Sequence, residues 1–317
     1  MLEELYAAVF ADPRSDGPRQ VLADALQEAG DPRGEFLSLQ LMPRRSQRSE
    51  RRMEKLLERH REAFLRGLAP IVMPGREKWT RGFLSEAAVV LEGLHVDVPD
   101  LATLERLEVF FSPAAPLELA SPHMRSLREV SASLSAVPVL FDAPRPLAVE
   151  TVALTGPGDL QAWPGQTVEL LGEARSLPKL TRLTLSASRG NFDEAAWLWR
   201  MPVLPRLKLL EFDGSFRGLP LANLLGVLRT IERPPAAVVF QTVSVTLRLR
   251  AADRFRSLQV ELEPPTGALV CAMMLDTLPP DALDDLAIFS SAPLDPSLQG
   301  SLRLSARRLE LTNLALP

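Results

Sequence analysis

Between Leu180 and Ser188 the chain reads Leu-Thr-Arg-Leu-Thr-Leu-Ser-Ala-Ser, with Leu183 and Leu185 two apart and Arg182, Thr184 and Ser186 alternating with them. On a strand this spacing sends the leucines to one side and the polar residues to the other, so it predicts a short strand with one buried face. A strand of this length cannot bury that face alone, and it becomes stable only where similar strands stack beside it. The same frame returns at Leu104, Leu107 and Val109; at Leu127, Val130 and Ala132; at Val149, Val152 and Leu154; and at Leu207, Leu210 and Phe212. It continues, more loosely, at Phe255, Leu258 and Val260, at Leu283, Leu286 and Ile288, and at Ala306, Leu309 and Leu311. First positions are 22 to 31 residues apart, except for one gap of 48 between Leu207 and Phe255 that has room for two units.

This Leu-x-x-Leu-x-Leu-x-x-Ser pattern resembles the leucine-rich repeat, whose period is roughly 20 to 29 residues. The family usually carries Asn or Cys in the ninth place, where the side chain satisfies backbone groups as the chain leaves the strand. Here Ser112, Ser135, Ser188, Ser215 and Ser291 stand there, and a serine hydroxyl can make a weaker bond of the same kind. The resemblance implies an α/β fold, a leucine-rich-repeat-like solenoid of parallel strands with helical or irregular returns. The stretch from Val238 to Arg250 departs from the frame: it alternates over many residues, and a further strand follows to Leu262. It is either a hairpin or two irregular repeats.

Ahead of the repeats, Leu2, Leu5, Val9 and Phe10 predict a short amphipathic helix. Asp16 and Pro18 can open a second helix that closes at Gly30, and Asp31-Pro32 can cap a third carrying Phe36, Leu37, Leu39 and Leu41. Ala11-Asp-Pro13, Pro18-Arg-Gln-Val-Leu-Ala-Asp24 and Glu28-Ala-Gly-Asp-Pro-Arg-Gly-Glu-Phe36 with Leu39-Gln40 resemble the bacterial repeat-companion domain, an N-terminal module often followed by leucine-rich repeats. Trp often follows Leu-Ala-Asp in that family, whereas this chain has Ala25. The resemblance implies an architecture and no particular chemistry: a helical unit with a long helix over residues 1–68, a connector over 69–81 and the repeats over 82–317, with the helical unit capping the solenoid.

The long helix, expected from about Gln47 to Leu68, places Met53, Leu56, Leu57, His60 and Phe64 on one face. From Arg44 to Arg66 basic residues outnumber acidic ones, but Glu50, Glu54, Glu58 and Glu62 interleave with them, which favours a solvated, charge-laced face over a nucleic-acid surface. The connector is broken by Pro70, Pro74 and Gly75, and Arg81-Gly-Phe-Leu84 opens the first strand of the repeats.

Composition narrows the function. A net charge of -4 gives no general attraction to nucleic acid or anionic membranes, and no segment reaches the roughly 18 apolar residues of a membrane helix. The single Cys271, flanked by apolar residues, suits a reducing compartment and a buried small hydrophobe, and the acidic N-terminus is unlike a signal peptide; a cytoplasmic protein is expected. Of three histidines, His95 stands near Asp97 and Asp100 without a second nitrogen or sulfur ligand, so no metal is expected. No nucleophile elbow or phosphate loop is present, so neither a catalytic residue nor a cofactor is assigned.

The polar positions of the strands remain as the candidate surface: Arg106, Glu108, Phe110, Glu129, Arg182, Thr184, Glu211, Asp213, Asp285, Phe289, Arg308 and Glu310. Mixed charges with two phenylalanines fit a protein partner, bound without catalysis. An inhibitor or immunity protein acting on a toxin or enzyme is an alternative that a strongly charged face would favour. An enzyme component with a site near His60, Arg81 and His95, where the helical unit meets the repeats, is another.

Overall fold

The computed structural model describes residues 1–91, 98–111, 121–156, 163, 165–187, 197–214, 221–242, 244–263, 275, 278–279, 282–290 and 306–313. They form an α/β fold with helices at the N-terminus and strands that are mostly parallel, divided into two compact units. The first unit is Met1–Val149 with Ser176–Pro178, and the second is Glu150–Arg175 with Lys179–Pro317.

In the first unit, helices α1 (Leu2–Ala11), α2 (Gly17–Glu28), α3 (Pro32–Leu41) and α4 (Gln47–Leu65) precede strands β1 (Lys78–Thr80), β2 (Phe83–Leu91), β3 (Arg106–Phe111) and β4 (Glu129–Ser133), followed by the short helix α5 (Val137–Phe141). Gly30 closes α2 at φ +72, and the Asp31 carboxylate caps α3 by accepting from the Arg33 amide at 2.8 Å. Asp16 does not cap α2: its own backbone is helical, and its carboxylate turns to Arg81 at 3.3 Å. Ser46 caps α4 through the Ser49 amide, and α4 gives way to a 3-10 turn at Arg66–Leu68.

The expected connector contains a strand. β1 pairs antiparallel with β2 through a two-residue turn at Arg81 and Gly82, both at positive φ (53° and 78°). That is the turn geometry whose twist matches a hairpin, which single-residue strand patterns cannot reveal in a segment only three residues long. β2, β3 and β4 are then parallel, with Ala87, Leu107 and Val130 in one buried row and Val89, Val109 and Ala132 in the next.

The second unit contains β5 (Thr151–Thr155), α6 (Gly165–Glu173), β6 (Arg182–Ala187), β7 (Leu209–Gly214), α7 (Leu221–Thr230), β8 (Ala237–Gln241), β9 (Val245–Arg250), β10 (Ser257–Leu262), β11 (Leu283–Ser290) and β12 (Ala306–Asn313). Strands β5 to β8 are parallel, β9 is antiparallel to both neighbours, and β10 to β12 are parallel again. The undecided stretch is therefore a hairpin, and it fills the long gap in the repeat spacing. Its inward residues, Phe240, Leu247 and Val260, remain in register with Phe212 and Ile288, so the reversal of direction does not disturb the buried face. Phe212 and Phe240 stack at 4.9 Å, with Trp199 edge-on to Phe212 at 5.9 Å. The described part of the return after β6 is made of 3-10 turns.

The second residue of the repeat frame recurs as a joint. The Glu105 carbonyl accepts from the amides of Arg128 and Glu129, that of Glu150 from Thr181 and Arg182, that of Thr181 from Lys208 and Leu209, and that of Arg256 from Asp284 and Asp285, at 2.7 to 3.4 Å. Donors and acceptors hold the same frame positions each time, so adjacent strands are clamped just before they begin.

Candidate functional site

Arginine and glycine make the first unit's most unusual chemistry. Arg19 and Arg33 are almost wholly buried. Arg33 donates to the carbonyls of Phe64 at 2.7 Å and Gly82 at 3.4 Å, with its guanidinium 4.6 Å from the Phe83 ring centre. Arg19 donates to the Arg81 carbonyl at 3.1 Å, and the Gly82 amide donates to Gln40 Oε1 at 2.8 Å. The turn between β1 and β2 is thus held by side chains from α2 and α3. The residues involved (Arg19, Arg33, Gln40 and the Arg81-Gly82-Phe83 run) are ones that stood out in the sequence, and their work here is packing.

Burial lowers the Arg33 pKa, and burial with neighbouring Arg81 lowers that of Arg19 to about 10. Arg66 lies over the Tyr6 ring at 3.9 Å and pairs with Asp100 at 3.5 Å and Glu3 at 3.2 Å. Burial holds the Asp100 carboxyl above its usual range despite Arg66. Aromatic rings and backbone carbonyls close around these groups.

His60 tilts against Phe64 at 5.9 Å, whereas Arg81 reaches the Arg14 carbonyl and Asp16, so the two share no partner. His95 and Cys271 lie outside the described residues, as do Ser112, Ser188, Ser215 and Ser291. Ser135 is described, and its hydroxyl bonds that of Ser133 at 2.6 Å. On α4, the arginines that form ion pairs reach off the helix, Arg52 to Glu35 and Arg61 to Glu77. Among the described residues no group of His, Cys, Asp or Glu could hold a metal, and no helix is long and apolar enough to cross a membrane.

All twelve strand positions predicted to face outward stand opposite the buried rows, in two separate sets. In the first unit Arg106 pairs with Glu86 and Glu129, at 3.5 and 2.7 Å, and Lys78 joins Glu86 at 2.6 Å. Arg76 contacts Glu108 at 3.3 Å and lies over the exposed Phe110 ring at 5.4 Å, so that phenylalanine is partly covered.

In the second unit the strand register sorts the outward residues into rows. One row begins Thr151, Arg182, Leu209, Ala237, Arg250; the next is Ala153, Thr184, Glu211, Val239, Arg248, Gln259, Ala287, Glu310. The third is Thr155, Ser186, Asp213, Gln241, Thr246, Glu261, Phe289, Thr312. Glu211 is less free than the sequence implied: it is 9 % exposed and accepts from Arg182 Nη2 at 2.7 Å and Thr184 Oγ1 at 3.1 Å. Arg308 pairs with Asp285 at 3.6 Å. Arg248, Arg250 and Gln241 were missed as face residues because the stretch from Val238 to Arg250 had no fixed frame, and Gln259 and Glu261, on the polar side of the loose frame at Phe255, were passed over with them. Once the alternation of Val245, Leu247 and Leu249 is taken as one strand, Arg248 and Arg250 fall on its polar side.

A surface cavity of about 530 Å³ lies elsewhere in the second unit, between the 3-10 turns at Trp199–Pro205 and the end of α7. Met201, Leu204, Val227 and Ile231 line it, with Arg200, Glu232 and Arg233. Glu232 supplies the one carboxylate of this lining and Thr230 a hydroxyl. In comparisons with known proteins, the chain matches no family model, no curated protein and no solved structure.

Proposed function

We propose that the strands are irregular leucine-rich repeats following a repeat-companion unit, and that the protein is a non-catalytic scaffold binding another protein through its outward strand residues. The recurring backbone joint at the second frame position supports the repeat assignment, because the same bond recurs at the same offset in copies whose side chains differ there.

The observation that carries the binding function is the sorting of the second unit's outward residues into registered rows. Small side chains (Ala153, Ser186, Ala287) leave room between longer ones, and opposite charges sit on neighbouring strands. A surface of that kind offers many weakly committed polar contacts to a protein and no enclosed volume for a small substrate. Arg182, Arg248, Arg250 and Arg308 stand against Glu211, Asp213, Glu261, Asp285 and Glu310, so both signs are present in near balance and the inhibitor alternative gains no specific support.

The test is capture from the native lysate with the full chain, compared with the variant Ser186→Arg/Ala287→Arg. These two positions are half-buried and not among the ion-paired residues, so bulky groups there obstruct the face without breaking an ion pair. A partner retained by the first and lost by the second, at equal melting temperature, is the expected result. Equal capture by both, or capture by neither, refutes binding through this face.

A further inference from the structure

The arginines of the second unit's outward face are not equivalent. Arg182 is satisfied by Glu211, and Arg308 by Asp285. Arg248 and Arg250, both exposed on β9, have no carboxylate partner among the described residues. Their cross-strand neighbours are neutral: Val239 and Gln259 face Arg248, and Ala237 faces Arg250. Being two apart on one strand, they point the same way about 7 Å from each other, so their charges reinforce.

Beside them runs an apolar strip. Ala237 and Val239 on β8 adjoin the arginines, and Leu209 on β7 lies beyond Ala237. Ala237 and Leu209 are half-buried and keep apolar surface open, whereas Val239, at 4 % exposed, is already covered. Two unneutralised guanidiniums next to an apolar strip are a recognition element with one acidic and one greasy requirement. Guanidinium forks suit carboxylates bidentately, and a carboxylate pair at i and i+2 of an extended chain has the same spacing of about 7 Å.

We propose that Arg248 and Arg250 anchor an acidic protein segment whose carboxylates lie two residues apart and whose neighbouring apolar side chain covers Ala237 and Leu209. This rests on the outward face being a protein-binding surface and names the chemistry of its partner. A nucleic-acid backbone suits the site less, because Glu211 stands in the row of Arg248, and Asp213 and Glu261 in the adjoining row, and they would meet a long polyanion wherever it left the two arginines.

The experiment is selection of a phage-displayed random peptide library on the full chain, followed by binding of the enriched synthetic peptides to wild type, Arg248→Glu/Arg250→Glu, Arg248→Lys/Arg250→Lys and Ser186→Arg/Ala287→Arg. An oligouridylate and vesicles of anionic lipid serve as competing probes. Expected are peptides with Asp or Glu at i and i+2 beside an apolar residue. Their affinity should fall at least about tenfold in the glutamate variant and by less in the lysine variant, which keeps charge and loses the fork, with melting temperatures unchanged.

Neutral or basic enriched peptides, acidic peptides indifferent to the arginines, failure to enrich any peptide, or arginine-dependent binding of RNA or vesicles alone each overturn the proposal. If Ser186→Arg/Ala287→Arg abolishes peptide binding while Arg248→Glu/Arg250→Glu does not, the face survives as a binding surface and the acidic anchor falls. If neither changes peptide binding, both fall.

Discussion

Three glycines in the first unit separate two costs that usually arrive together. Gly30 has φ +72 and open space where a Cβ would stand, so Gly30→Ala meets only the left-handed backbone, at about 1–2 kcal/mol. Gly34 has an ordinary helical backbone, but its Cβ would lie 2.5 Å from the Gln27 nitrogen and 2.8 Å from the Ala23 carbonyl oxygen. Gly34→Ala therefore pushes α3 off α2, an overpacking of about 1–3 kcal/mol, toward the upper end because the obstacles are mainly backbone. Gly82 combines φ +78 with a Cβ that would fall within the Leu37 side chain, and Gly82→Ala should cost about 2–5 kcal/mol. All three variants gain the same small offset from a stiffer unfolded chain, so their differences are cleaner than their absolute values. The assay is urea unfolding followed by hydrogen exchange at the α2 and α3 amides, which reports on this unit alone. A Gly82→Ala loss no larger than that of Gly30→Ala would mean that Leu37 is not seated against the turn, and the buried-arginine arrangement around Arg81 and Gly82 would fall with it.

Further outcomes follow from other contacts. Leu183→Ala and Leu210→Ala, both at fully buried frame positions, should each lose about 2–5 kcal/mol by chemical denaturation, and a loss near zero would break the repeat frame. Arg182→Ala leaves the mostly buried Glu211 carboxylate with only Thr184, and should cost about 1 kcal/mol in the same measurement. Burial raises Asp100 above its unfolded value of 3.8, so the unfolded chain gives up that proton first and stability from this group declines as pH rises from 3.8 through the folded value. Asp100→Asn should flatten that part of the melting-temperature profile, and an unchanged slope would refute the assignment. Asp284 has the opposite sign: bonding from Arg256 lowers its pKa, so its small contribution is present above 3.8 and fades as pH falls through the folded value, a loss that Arg256→Gln should remove.

The frame positions from Leu104 to Ile288 were readable because a strand with one buried face writes its period into the sequence, and Leu183, Leu210 and Ile288 occupy the inward places expected of them, whereas Leu311 on β12 is 37 % exposed. The outward residues were readable as the complement of that period. What escaped depended on partners far along the chain. Nothing local distinguishes buried Arg33 from the solvated arginines of α4; its place is set by the Phe64 and Gly82 carbonyls, 31 and 49 residues away. Strand β1 is too short to carry a period, and the direction of β9 follows from the turn before it, which alternation cannot encode. Arg248 and Arg250 were hidden for the same reason.

Where these strands meet their neighbours, the bond is drawn between backbone atoms, with Glu105, Glu150, Thr181 and Arg256 in the accepting place. An acid, a hydroxyl or a base serves equally there, because none of them makes the joint. These positions can therefore be rewritten without altering the bonds that join the strands.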